Sequence, residues 1–142
     1  MKRVVRLSLI VIMLGSAVTL LALTGSPATA KSATDNPLEA RAAYDLIQKN
    51  KANGNFVVLD VRTPDEFNDG HIDGAININY ESGGFKTELA QLDKKKTYFV
   101  YCRTGRRSGE AVKIMKAMGF DSIVTMKGDI VKWKSEKLPL VR

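Results

Sequence analysis

Cys102 is the only cysteine in the chain, and its neighbours are the residue types that a sulfur nucleophile needs. It follows the apolar run Tyr98-Phe99-Val100-Tyr101 and opens the segment Cys102-Arg103-Thr104-Gly105-Arg106-Arg107-Ser108, which leads into an amphipathic stretch. A thiol at the end of a buried strand, followed by a short Gly- and Arg-containing loop and a helix N-terminus, meets several backbone N–H groups and a partial positive charge. Such surroundings favour thiolate over thiol and would cradle an anionic substrate. A lone cysteine is often only a small core residue. Three arginines within five positions of this one make a poor apolar core.

The elements that must position this loop are marked along the chain. Asn36-Pro37-Leu38-Glu39 carries an N-cap, a proline at the first helical position and an acid, and predicts a helix from Pro37 to about Lys49. Phe56 to Val61 is a nearly continuous apolar run rich in β-branched residues, as expected of a strand buried on both faces of a parallel sheet. Thr63-Pro64-Asp65-Glu66 repeats the capping signature, and Gly70 ends that short helix. Ala75 to Tyr80 reads as a strand, Phe85 to Leu92 as a helix, and Tyr98 to Tyr101 as the strand that delivers Cys102. Arg107 to Met118 has apolar residues at helical spacing, with Gly119 beyond its end. Ser122 to Met126 reads as a last strand, followed by Gly128 and a helical turn carrying Trp133. This alternation predicts a single doubly wound α/β domain with a parallel central sheet flanked by helices. In such sheets the site lies beyond the carboxyl ends of the strands. Cys102 and Arg62 both fall there.

The first thirty residues have a different character. Lys2, Arg3 and Arg6 precede an uncharged apolar stretch from Leu7 to Leu23, and Ser26-Pro27-Ala28-Thr29-Ala30 supplies small residues at a cleavage position. This is the pattern of a secretory signal peptide cut after Ala30, which predicts a periplasmic or secreted protein; an uncleaved leader would instead be a membrane anchor. Residues 31–36 read as a disordered lead-in and residues 37–142 as one domain. The leader holds three basic residues and no acid, so its removal lowers the formal charge of +7 by three. That balance does not suit nucleic-acid binding, and Lys94-Lys95-Lys96 reads as a solvated turn. No internal disulfide can form from one cysteine, and a monomer is expected of so small a domain.

Three segments together resemble the rhodanese, or sulfurtransferase, family: Leu59-Asp60-Val61-Arg62-Thr63-Pro64-Asp65-Glu66-Phe67, Gly70-His71-Ile72-Asp73-Gly74-Ala75-Ile76-Asn77-Ile78, and the loop from Cys102 to Arg107. The resemblance implies a rhodanese-like fold and transfer of a sulfane sulfur through a Cys102 persulfide, from a small anionic donor such as thiosulfate to a thiol or cyanide acceptor. Arg103, Arg106 and Arg107 would attract a dianion through charge and guanidinium hydrogen bonds. Thr104 could donate a hydroxyl hydrogen bond, Gly105 would supply a backbone angle other residues tolerate poorly, and Arg62 would add a substrate contact. Ser108 is expected to cap the following helix. Asp60 and Glu66 read as structural partners of the cations, and His71 as structural too. The resemblance implies no cofactor, and one cysteine with one histidine is too little for a zinc site. The chain departs from the family pattern at Gly128-Asp129 ahead of Trp133, where two glycines are common; Asp129 reads as a tolerated helix-start substitution.

Other readings use the same residues. A phosphatase of related fold has an arginine six positions after its cysteine, where this chain has Ser108. A non-catalytic or stress-related binding module would not need Cys102. A redox-sensing thiol would lack a resolving cysteine within the chain.

Overall fold

The computed structural model describes residues 36–142; the signal-peptide reading and all of the lead-in but Asn36 lie outside them. In chain order the elements are α1 (Ala40–Lys49), β1 (Phe56–Asp60), α2 (Pro64–Asp69), β2 (Ala75–Asn77), α3 (Phe85–Ala90), β3 (Thr97–Tyr101), α4 (Arg106–Ala117), β4 (Ser122–Val124) and α5 (Asp129–Ser135). The strands form one sheet in the order β2-β1-β3-β4, every pair parallel.

Alternation along the strands builds two cores. Leu59 and Val61 of the β1 segment, with Tyr98 and Val100 of β3, face Phe85, Leu89, Ala111 and Met115 of α3 and α4. Val58, Phe99 and Tyr101 point the other way, against Ala40, Ala43, Ile130 and Trp133 of α1 and α5. Because successive side chains leave a strand on opposite faces, an apolar run buries both. The sheet is therefore covered on both sides, as the sequence predicts.

The chain leaves β1 toward β2 on one side and continues through β3 to β4 on the other. The switch lies between β1 and β3, paired from Phe56↔Thr97 to Asp60↔Tyr101. A crevice opens at the carboxyl end of such a switch, and the segments beginning at Val61 and Cys102 flank it.

Local signals were overridden at three places. The predicted helix start at Pro37 is extended chain instead: Leu38 bridges to Met126, donating its N–H to the Thr125 carbonyl at 2.9 Å and accepting from the Lys127 N–H at 2.8 Å. Two inter-segment hydrogen bonds outweigh a capping preference worth about 1 kcal/mol, and Glu39 becomes an N-cap with no side-chain cap. The strands predicted to reach Tyr80 and Met126 stop at Asn77 and Val124, although Ile78 still donates to the Asp60 carbonyl at 3.0 Å. The capping box at Thr63 forms as expected, with Thr63 and Glu66 exchanging hydrogen bonds.

Candidate active site

The loop begins where β3 ends. Gly105 holds φ at 108°, a left-handed value that a side chain would resist, and becomes the N-cap of α4. This turn brings the Gly105 N–H to 3.2 Å from Cys102 Sγ. The first N–H groups of α4 have no partner within the helix and lie at the same end. Cys102 is only 1% exposed and its side chain closes the α4-side core. Arg103, Thr104 and Arg106 stand exposed around it.

The arginines divide into two kinds. Arg106 is free of tight partners, with its side chain 71% exposed and Glu81 at 3.5 Å. Arg107, two residues into the loop's helix, is buried and donates a fork of hydrogen bonds to Glu66 at 2.7 and 2.8 Å. Those bonds, against partial burial, hold the Glu66 carboxyl down at about 2. Glu66 also completes the α2 capping box, so one carboxylate ties α2 to the Cys102 loop. Arg62 is likewise buried: it grips Asp60 through Nε and Nη2, donates to the Gly70 carbonyl at 2.9 Å and lies over the Tyr101 ring at 5.6 Å. Burial works against the Arg62 charge, but the Asp60 contacts outweigh it and hold the guanidinium above its ordinary range. Arg62 and Arg107, both expected to meet substrate, thus have their hydrogen bonds directed at internal acceptors. Arg62 still borders a cleft of about 290 Å³ beside the loop, with Arg103, Glu66, Asp69, Val131 and Lys134.

Asp129 was missed as a site residue. It is fully buried, and its Oδ2 accepts the Cys102 N–H at 2.7 Å and the Ser108 hydroxyl at 2.6 Å. Its backbone is left-handed at φ 47°, directly after Gly128 at φ 67°. The start of α5 is laced to the loop, since Ile130 and Val131 donate their N–H groups to the Cys102 and Arg103 carbonyls, each at 3.2 Å. Burial pushes the Asp129 carboxyl up, against the pull of its Ser108 and Cys102 hydrogen bonds. Among the described residues its buried Oδ1 has no hydrogen-bond partner. The departure from the glycine pair was the available signal, and a helix-start reading missed it.

One further expectation changes. Ser108 is not the cap of α4: it lies in the third helical position, buried, with its hydroxyl on Asp129. Gly105 takes the cap because only a left-handed residue can turn β3 into α4 this tightly. His71 is stacked on Phe67 with ring centroids 3.7 Å apart and bridged through its backbone to Val141.

Comparison with known proteins places this geometry among relatives. The model of the rhodanese-like domain matches residues 40–136. The probable adenylyltransferase/sulfurtransferase MoeZ of Mycobacterium tuberculosis is 39% identical over 82 residues, which are 58% of this chain and 21% of MoeZ. The thiosulfate sulfurtransferase PspE of Escherichia coli is 37% identical over 70 residues, 49% of this chain and 67% of PspE. The chain therefore corresponds to about a fifth of MoeZ and two thirds of PspE. The crystal structure of a rhodanese-related protein from Thermoplasma volcanium superposes with a TM-score of 0.63 at 32% identity, covering 74% of this chain and 96% of that one.

Proposed function

The chain belongs to the rhodanese-like domain family, and from that premise we propose that it is a sulfurtransferase carrying sulfur on Cys102. The observation that carries the reading is the Gly105 N–H aimed at the Cys102 sulfur from a loop whose rim is the exposed Arg103 and Arg106. Thiosulfate suits that rim. The Cys102 thiolate attacks the outer sulfur, the sulfur–sulfur bond breaks, and sulfite departs with the electron pair. The persulfide left on Cys102 is a covalent intermediate, its terminal anion facing preorganised N–H groups. A nucleophilic acceptor, a thiol or cyanide, then takes the terminal sulfur and restores the thiolate. In this scheme Arg103 and Arg106, with Thr104 between them, meet the donor, Gly105 shapes the loop, Arg107 ties it to Glu66, and Arg62 braces the end of β1 through Asp60 and Gly70. The basic and apolar leader supports action outside the cytoplasm, as a periplasmic or secreted protein.

Intact mass before and after incubation with thiosulfate tests the proposal. A gain of one sulfur on the wild type, absent from Cys102→Ser, is the expected result, together with loss of thiosulfate-to-cyanide turnover in the variant. No gain on a demonstrably free thiol would reject thiosulfate as donor, and turnover that survives in Cys102→Ser would reject the cysteine.

A further inference from the structure

Asp129 is an expensive residue for its place. Its φ of 47° is one that glycine adopts freely and aspartate adopts at a cost of about 1 kcal/mol or more. Its side chain is buried, with Oδ1 unpartnered, a further penalty for a carboxyl group. Stability alone would favour a small neutral residue.

The carboxyl nonetheless sits one hydrogen bond from the backbone nitrogen of Cys102, 2.7 Å away. We propose that Asp129 is a positioning residue for Cys102: its carboxyl fixes the start of the loop and, when ionised, sets a negative charge against the sulfur, restraining the nucleophile until the carboxyl takes up a proton. Three elements bring titratable or charged groups to face it. Asp60 comes from the end of β1, where Arg62 neutralises it; Cys102 comes from the end of β3 and the Ser108 hydroxyl from α4. On its own helix, Lys132 is exposed and paired with Glu136 at 3.2 Å, and Lys134 stands exposed on the cleft. Among the described residues, the closest groups therefore supply Asp129 with hydrogen bonds but no compensating cation. An ionised carboxylate hydrogen-bonded to the Cys102 backbone repels negative charge that develops on that residue. The burial that raises the Asp129 carboxyl brings its proton uptake nearer to neutrality.

The inference rests on Cys102 being the nucleophile, and its test needs no sulfur donor. Iodoacetamide reports on Cys102 alone, since the chain has no other cysteine. Asp129→Asn keeps an oxygen for the Cys102 N–H and the Ser108 hydroxyl, tolerates the left-handed backbone, and removes the charge. At pH 7 the variant is expected to alkylate about three- to tenfold faster than wild type, with the ratio returning toward one as the pH falls and wild-type Asp129 protonates. Equal rates, or a ratio constant with pH, would overturn the proposal by leaving Asp129 a structural role alone. Asp129→Gly, which suits the backbone, makes the same comparison if the asparagine variant does not fold. Failure of both folded proteins to alkylate at any pH, while the urea-unfolded chain reacts, would overturn the proposal, and a sulfur gained from thiosulfate by the same folded protein would show that the nucleophile reading survives it.

Discussion

The two pairs of arginines around Cys102 share a side chain and differ in everything that surrounds it. Arg62 and Arg107 are buried, each gripping one carboxylate with two nitrogens. Arg103 and Arg106 are exposed, and the nearest carboxylate contact of Arg106 is a long 3.5 Å. A buried charge persists only if it is paired and hydrogen-bonded, and the inner pair has that pairing from Asp60 and Glu66. An exposed guanidinium keeps its donors for whatever anion arrives. Proximity to a nucleophile does not by itself make an arginine a substrate ligand; what its hydrogen bonds already hold decides that.

The inner pair yields the largest expected effects on stability. Arg62→Ala leaves Asp60, fully buried, with an uncompensated charge, and a loss of about 3–5 kcal/mol is expected in urea unfolding. Asp60→Asn combined with Arg62→Met should recover part of that loss, because the orphaned charge goes with its partner. A loss below about 1 kcal/mol for the single variant would break the contrast between inner and outer arginines. Glu66→Gln is the gentler cut. A carboxyl held at about 2 in the folded protein against an ordinary 4.5 contributes stability that is present above pH 4.5 and lost as the pH falls toward 2. Removing it should cost roughly 1–2 kcal/mol at pH 7, once screening at its exposed edge is allowed for, and should flatten the wild type's loss of stability across that acid range. Unchanged acid sensitivity in Glu66→Gln would show that Arg107 does not depend on Glu66.

That division was not legible in the sequence, whereas most of the fold was. The apolar run from Phe56 and the helical spacing after Arg107 carry their own period, and burial follows from period alone. The Cys102 loop was legible for the same reason, being continuous in the chain. Arg107, however, meets Glu66 across 41 positions, and Cys102 meets Asp129 across 27. Which acid finds which base over such distances is decided by packing that no local pattern records. The start of α1 failed in the same way, since nothing near Pro37 announces that Leu38 will pair with Met126.

The outer pair should reverse the inner pair's signature. Exposed side chains with no tight partner change stability by less than about 0.5 kcal/mol when truncated, so Arg103→Ala and Arg106→Ala should unfold with the wild type. Their effect belongs in substrate capture: the KM for thiosulfate should rise about three- to tenfold with kcat little changed, the mark of binding shared by ground and transition states. Added salt sharpens the test, because screening weakens exposed charges far more than buried pairs. The wild-type KM should climb with ionic strength, and the double variant should respond less. Lysine then separates field from fork. Arg103→Lys keeps the charge and loses the planar pair of donors; a KM near wild type assigns Arg103 to attraction of the dianion, and a KM near that of alanine assigns it to direct hydrogen bonding. An unchanged KM in both alanine variants would leave these arginines as solvated surface, and the donor would have to be held by the backbone N–H groups of the loop alone.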